Sequence, residues 1–196
     1  EFSASSVGNI VHHCLCEILK NTDRNGFLSM SDEDIDSKIS LYFKEYLDES
    51  MGGDYGKDAG FMLSADNVKR TIKEIVMHLR EEFSQSKFYP FAYEASISAG
   101  GEGFAPRVIT SQNGVDVCFI GNVDRADAFN DGDEKFIRVV DYKTGDKAFS
   151  FKDVYYGKNM QMLIYLYSIA ESVDKSIPAG VLYMPSHTAK SELDRN

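Results

Sequence analysis

The hydrophobic pattern of this chain changes its period at Pro90, and no other feature of the sequence limits the possible folds as strongly. Before Pro90, apolar residues recur every three or four positions, which predicts helices at 6–19, from Ser31 onwards and at 64–83. After Pro90 they alternate, which predicts strands at 91–97, within 115–129, and at 136–142 and 179–184. One further helix is predicted at 154–171. This order predicts an α/β core with a mixed central sheet flanked by helices.

The length of 196 residues and the hydrophobic fraction of 43% allow one domain with a buried core. We expect that domain to span 1–196, with a mainly helical part at 1–89 and a sheet core with a motif helix at 90–196. Segments 21–30 and 51–60 are rich in turn residues and are expected to be loops, the second of them mobile. No apolar run approaches the roughly 18 residues that cross a bilayer, so no membrane span is expected. Both ends are expected to be boundaries inside a longer protein.

Three cysteines and a negative charge limit the environment and the mode of binding. Cys14, Cys16 and Cys118 are an odd number without a second C-x-C pair, so we expect buried free thiols and a reducing, cytoplasmic setting. The formal net charge of −10 argues against nucleic-acid binding through a broad basic surface. It does not argue against a metal-dependent enzyme, because a metal site requires carboxylates and another subunit can supply the contacts that hold the DNA.

Acidic and basic side chains occur together at the ends of two predicted strands. Asp124 ends one apolar strand, and Asp141 and Lys143 lie two residues apart at the end of the next, so both point to one face. If the strands are neighbours, the two carboxylates converge and repel unless a cation such as Mg²⁺ or Mn²⁺ lies between them. The lysine would then orient and polarise water. The alternative is an ordinary ion pair between Asp141 and Lys143.

Two further features allow a functional and a structural interpretation. His12 lies on the first predicted helix, where a neutral imidazole is a good ligand for Mn²⁺, but a polar residue at the edge of the core is the alternative. His13 lies about 100° around the helix, so only one of the two should face a given site. Gln161 and Tyr165 are four apart on the last helix and share one face. In the functional interpretation both side chains line a groove that holds the substrate backbone. In the structural interpretation Tyr165 belongs to the core and Gln161 is solvated.

The order of these motifs resembles the RecB branch of the PD-(D/E)xK nucleases. The motifs are G-x-x-x-H ending at His12, then G-x-V-D-R-x-D at 121–127, V-D-Y-K-T-G at 140–145 and Q-M-L-x-Y at 161–165. The stretch 151–157 adds a resemblance to the nuclease domains of AddB-type proteins, which belong to ATP-dependent AddAB helicase–nucleases. The resemblance implies a restriction-endonuclease-like core and metal-dependent DNA hydrolysis, as an exonuclease in double-strand-break repair. DNA and an AddA-type subunit would be its partners.

The resemblance also implies a role for each matching residue. The expected metal ligands are His12, Asp124, Asp141 and the backbone carbonyl of Tyr142. Lys143 would be catalytic together with the two aspartates. The residues expected to contact the substrate are Gln161, Tyr165 and Arg125. Glu94 falls where such nucleases often carry a supporting acid.

One departure from the AddB pattern concerns an iron–sulfur cluster. AddB-type domains carry four cysteines around the nuclease core, and Cys14, Cys16 and Cys118 do not match those positions. We therefore expect the cluster only in a full-length protein and not in this stretch. Two alternative functions remain: a stand-alone RecB-type or Cas4-like exonuclease, and a nuclease-fold module that binds DNA or a partner without cleavage.

Overall fold

The structure, a computed structural model, describes residues 2–52, 59–100, 103–143 and 150–185. The chain divides into two compact units. Unit 1 comprises Glu1–Ser86, Tyr142–Asp146 and Pro185–Asn196, and unit 2 comprises Lys87–Asp141 and Lys147–Met184. The prediction of one domain over 1–196 stays a prediction. None of the helices within the described ranges combines the length and the apolar character that crossing a membrane requires.

Unit 1 is helical, as the period of three to four predicts. Its helices are α1 (Ala4–Lys20), α2 (Arg24–Ser29), α3 (Asp32–Met51) and α4 (Ala59–Gln85). Helix α3 begins as predicted after Ser31, whose hydroxyl accepts from the Asp34 N–H, while the Asp34 carboxylate accepts from the Ser31 N–H. Such a reciprocal box satisfies backbone donors that have no partner inside the helix. Of the expected loop at 51–60, Met51 ends α3 and residues 53–58 lie outside the described residues.

Helix α2 corrects the prediction of a loop at 21–30. Asp23 caps it by accepting from the Gly26 N–H, but six residues are too few for a helix to be stable alone. Tertiary contacts supply the remaining stability of this short helix. Phe27 is buried with its ring centroid 5.6 Å from that of Phe83, and Arg24 donates to the Phe83 carbonyl at 2.6 Å. The sequence pattern could not show these contacts.

Unit 2 contains two sheets. The strands are β1 (Tyr89–Ile97), β2 (Val108–Thr110), β3 (Asp116–Cys118), β4 (Gly121–Asp131), β5 (Glu134–Lys143) and β6 (Ser176–Pro185), and β5 and β6 continue by a residue or two into unit 1. The larger sheet has the order β1-β4-β5-β6, and β4 pairs antiparallel with both β1 and β5. Strands β2 and β3 form a separate antiparallel pair. The predicted α/β class with a mixed sheet and a helical N-terminal part is confirmed.

Two predicted segments each contain more than one element in the structure. The segment 115–129, within which one strand was expected, contains β3 and most of β4, and β2 was not predicted. The helix expected at 154–171 is α5 (Phe151–Tyr155) and α6 (Gln161–Ser172). The break in the helix follows from Gly157 and Asn159, which have φ of 74° and 55°. A right-handed helix cannot continue through left-handed residues.

Helix α6 packs on the larger sheet and forms the core of unit 2. Its buried side chains Tyr165, Leu166 and Ile169 join a cluster with Ile137 and Val139 of β5. In contrast, the β2–β3 pair is exposed at every position. The prediction of three buried thiols is therefore correct for Cys14, but Cys16 is half-buried and Cys118 is exposed. The apolar residues around Cys118 belong to a surface hairpin.

Candidate metal centre

Glu94 and Asp124 face each other across neighbouring strands of unit 2. The register between β1 and β4 pairs Tyr93 with Arg125 and Ala95 with Val123. Glu94 and Asp124 lie between these two pairs and are therefore opposite each other. Each acid offers a carboxylate oxygen, and the two atoms lie within 4.8 Å of one another. Like charges directly opposite destabilise a sheet. Glu94 also has a φ of 43°, a strained conformation for a residue with a β-carbon. Both features are typical of a functional site.

The D-x-K motif begins on the next strand, at the end of its ladder with β4. The last pair in the β4–β5 register is Arg125 with Val140, so Asp124 and Asp141 are the next positions on the two strands. Asp141 is half-buried, and its Oδ2 atom is shielded from solvent. The Asp141 carboxylate does not belong to the close pair formed by Glu94 and Asp124. Lys143, two residues further on β5, is half-buried as well.

Within unit 1, His12 lies beside Tyr142. The His12 Nε2 atom is 3.3 Å from the Tyr142 carbonyl oxygen, and the two rings meet edge-on with centroids 5.3 Å apart. This contact is a hydrogen bond. Two neighbouring ligands of an octahedral ion at 2.0–2.1 Å also stand roughly 3 Å apart, so a shared cation could replace the hydrogen bond. His13 contacts the Tyr46 ring instead, at 5.3 Å. The helix thus separates the two histidines, as its period predicts.

Tyr165 anchors the motif helix to the start of β4. Gln161 Nε2 donates to the Tyr165 hydroxyl at 2.9 Å, and that hydroxyl donates to the Ile120 carbonyl at 3.4 Å. A β-carbon on Gly121 would overlap the Tyr165 phenol ring. The glycine of the G-x-V-D-R motif is therefore needed for this close approach, three residues before Asp124. Tyr165 is buried and Gln161 is exposed.

Arg125 lies inside unit 2. It is 1% exposed, and its Nε donates to Asp127 Oδ1 at 2.8 Å while Nη2 donates to Oδ2 at 3.1 Å. Arg138 Nε donates to the same Oδ2 at 2.8 Å. The expected contact between Arg125 and the substrate stays a prediction. The sequence interpretation missed Asp127 as the acid that binds both arginines, although strand alternation could have shown that residues 125 and 127 share a face.

The chemistry of the donors fits a small hard cation. Glu94, Asp124 and Asp141 supply carboxylate oxygens, Tyr142 a backbone carbonyl and His12 an imidazole. Oxygen-rich sets of this kind suit Mg²⁺ and Mn²⁺, and the imidazole favours Mn²⁺ in particular. Each of the two close groups, Glu94 with Asp124 and His12 with Tyr142, has a spacing that a cation could bridge.

Comparison with known proteins identifies the family. The sequence model of the PD-(D/E)XK nuclease superfamily matches residues 1–194. The chain belongs to this superfamily. The opposed acids of β1 and β4 and the D-x-K motif of β5 therefore lie in a nuclease fold.

Individual relatives are subunits of larger enzymes. The chain is 33% identical over 189 residues to the B subunit of the ATP-dependent helicase/deoxyribonuclease of Ruminiclostridium cellulolyticum, covering 92% of this chain and 16% of that protein. The proteins of the same name from Clostridioides difficile and Clostridium acetobutylicum are 29% and 31% identical, over 93% and 90% of this chain and 16% of each relative. The predicted resemblance to AddB-type nuclease domains is confirmed. The chain spans 16% of the length of these relatives.

Proposed function

We propose that this chain hydrolyses DNA phosphodiester bonds with a divalent metal, as the exonuclease part of a helicase–nuclease subunit in double-strand-break repair. The observation that carries the proposal is the close pair of Glu94 and Asp124 on adjoining strands, beside the strand with Asp141 and Lys143. Two acids held this close repel each other when both are ionised, and a cation between them removes that repulsion. In a chain of the PD-(D/E)XK superfamily, that positive charge is best supplied by a catalytic cation.

The proposed ligands are His12, Asp124, Asp141 and the carbonyl of Tyr142, with Glu94 as a supporting acid. When bound, Mg²⁺ or Mn²⁺ would supply Lewis acidity to the phosphodiester and lower the pKa of bound water. The close contact of His12 Nε2 with the Tyr142 carbonyl supports their assignment to one site. The strand order supports the assignment of Asp124 and Asp141 together.

Lys143 is the proposed catalytic residue of the D-x-K motif. Its ammonium would hold the attacking water by hydrogen bonds and offset the negative charge that grows on the phosphate oxygens. Gln161 would contact the DNA backbone, because it is exposed at the start of α6 and its amide is oriented by the Tyr165 hydroxyl at 2.9 Å. Tyr165 would act by positioning Gln161. Arg125 is proposed to contribute to the substrate site through β4, because its guanidinium is buried against Asp127 on the strand that carries Asp124.

The relatives support a wider assembly around this chain. Since they are named as B subunits of a helicase/deoxyribonuclease, we propose DNA and an AddA-type helicase–nuclease subunit as partners, in the cytoplasm. An iron–sulfur cluster belongs to this proposal only for the full-length protein, because the three cysteines of this chain do not match its ligands. The partner motor would bring the strand to a site whose own chain carries a net charge of −10.

The test compares Lys143→Ala and Asp141→Ala in the full-length subunit assembled with its helicase partner. We expect both variants to lose cleavage of linear DNA in Mg²⁺ or Mn²⁺ by about 10²–10³-fold, the loss seen when one pre-organised electrostatic group is removed. Calorimetry separates their roles, because only Asp141→Ala should also weaken metal binding. Lys44→Ala is the matched control, since Lys44 is exposed and pairs with Asp48 of its own helix at 2.7 Å.

Two results would contradict the proposal. Near wild-type cleavage by a folded Lys143→Ala assembly would remove its catalytic role and leave the ion-pair interpretation. Absence of cleavage by the wild-type assembly, with DNA still bound, would favour a binding module without hydrolysis. Linear and closed circular plasmids are compared in parallel, because an exonuclease degrades only the linear form.

A further inference from the structure

Helix α5 exposes aromatic rings that a folded domain normally buries. Phe151 and Tyr155 are four residues apart and share one side of the helix, and their exposed fractions are 82% and 85%. Tyr156 follows with an exposed fraction of 67%, and its ring meets that of Tyr155 edge-on at 5.3 Å between centroids. Large aromatic side chains grouped at a surface mark a binding site more often than chance exposure does.

The backbone of the turn after α5 is fixed by hydrogen bonds. The Tyr156 N–H donates to the Lys152 carbonyl at 3.2 Å, and the Lys158 N–H donates to the Asp153 carbonyl at 2.7 Å. Gly157, at a φ of 74°, allows the chain to turn back at this point. A hydrogen-bonded backbone loses less conformational entropy when a ligand binds than the backbone of a flexible chain.

The charge around the rings is opposite in sign to that of the whole chain. Segment 150–160 contains two basic residues, Lys152 and Lys158, and one acidic residue, Asp153, which gives +2 − 1 = +1. The chain as a whole carries −10. Both lysines are exposed. A ligand that combines flat apolar groups with negative charge is therefore favoured over an acidic or a purely apolar protein surface.

We propose that Phe151, Tyr155 and Tyr156 form a stacking platform for the bases of single-stranded DNA, with Lys152 and Lys158 beside the phosphates. Single strands expose the π-faces that aromatic side chains stack on, whereas a duplex hides them. This proposal rests on the proposed nuclease function and adds to it a surface that contacts the bases.

The platform is connected closely to the residues of the proposed nuclease site in unit 2. Tyr156 and Gln161 are five positions apart, which limits the distance between their Cα atoms to about 18 Å. Gln161 contacts Tyr165, and Tyr165 packs on Gly121, three residues before Asp124. A strand stacked on the platform therefore lies within reach of the start of β4, where Asp124 would act on its backbone.

The test measures how tightly the chain binds oligonucleotides when it cannot cleave them, by fluorescence anisotropy in EDTA at low salt. The probes are a labelled oligothymidine of about 12 nucleotides, within the usual site size of single-strand binders, and an abasic oligonucleotide of the same length. We expect the double variant Tyr155→Ala/Tyr156→Ala to weaken oligothymidine binding about ten- to hundredfold and abasic binding hardly at all. Tyr155→Phe/Tyr156→Phe should bind like the wild type, because the rings remain.

Matched controls separate this proposal from misfolding and from the proposed function. Tyr167→Ala removes a half-exposed ring of α6 outside the platform and should not weaken binding. Cleavage of the same oligothymidine by the wild type in Mg²⁺ is measured separately, so a failure of the nuclease proposal is visible separately from a failure of the platform. The platform would be overturned if the double variant lost affinity equally for the two probes or bound oligothymidine like the wild type. It would also be overturned if the double variant lost only its association with the helicase subunit.

Discussion

Replacement of Asp127 tests how strongly unit 2 depends on a buried ionic cluster. Asp127 has no exposed surface, and it accepts hydrogen bonds from Arg125, which is 1% exposed, and from Arg138, whose side chain is 16% exposed. Asp127 and Arg138 are also cross-strand partners in the ladder between β4 and β5. The cluster therefore ties together the two strands that carry Asp124 and Asp141.

The expected loss of stability follows from the burial of Arg125. Asp127→Ala leaves this guanidinium inside the protein without its principal counter-charge, whereas Arg138 is partly exposed and can be hydrated. Removing one partner of a buried ion pair typically costs about 3–5 kcal/mol. For chains of 150–250 residues each kcal/mol lowers the melting temperature by about 2–4 °C, so a fall of about 6–20 °C is expected. The melting temperature of Asp127→Asn should lie between those of the wild type and Asp127→Ala, because asparagine retains a hydrogen-bond acceptor and loses the charge.

The assay is thermal and urea denaturation followed by circular dichroism, with Asp48→Ala as the control. Asp48 pairs with Lys44 at 2.7 Å on an exposed helix face, where such a pair contributes at most about 0.5 kcal/mol. The double variant Arg125→Met/Asp127→Leu should regain most of the loss, because apolar replacement of a whole buried pair is often neutral. If Asp127→Ala melted within 2 °C of Asp48→Ala, about the shift of a single kcal/mol, the reasoning from burial would be refuted.

Three further predictions concern packing, thiols and DNA. Gly121→Ala should destabilise the protein by about 1–3 kcal/mol through overlap with Tyr165, whereas Gly180→Ala, whose added β-carbon meets no atom within 4 Å, should leave the urea midpoint unchanged. Burial raises the pKa of the Cys14 thiol to about 12, so Cys14 stays protonated at pH 8. Cys14 should therefore react with a thiol reagent only on unfolding, while the exposed Cys118 reacts at once. Rapid labelling of Cys14 in the native protein would contradict this. The isolated chain, at a net charge of −10, should bind single-stranded DNA weakly at about 150 mM salt, and tight binding in a filter assay would show the charge argument to be wrong.

The long elements could be predicted because their own residues determine them. The amphipathic stripe of α1, the capping box at Ser31 and the alternation in β1 and β5 each follow from local sequence, and all four elements are present. Helix α2 could not be predicted from pattern, since it depends on the contact of Phe27 with Phe83. The break between α5 and α6 was missed for a different reason. The apolar period continues across Gly157 and Asn159, although both adopt left-handed conformations.

The candidate site was predictable in its residue types but not in its contacts. The D-x-K pattern at a strand end indicated Asp141 and Lys143, which lie at the end of β5. Asp124 was expected at a strand end but lies near the start of β4, and it comes opposite Asp141 because β4 and β5 are antiparallel neighbours. No local pattern indicates that Glu94 lies directly opposite Asp124, because this depends on the register between β1 and β4 and on a bulge near Pro90. Tertiary register is a property of both strands together.

The charge of the chain and its proposed site together determine how DNA should bind. Glu94, Asp124 and Asp141 would place several negative charges where a phosphate must arrive, and two unit charges 4 Å apart repel by about 1 kcal/mol in water and about 4 kcal/mol near a protein surface. A divalent cation reverses the sign of that interaction, so the carboxylates should favour DNA only when the metal is bound. Stacking on Tyr155 and Tyr156 involves no ion. Oligothymidine affinity measured in EDTA therefore reports the platform, and the increment on adding Ca²⁺ reports the carboxylates, so the two parts can be separated in one titration.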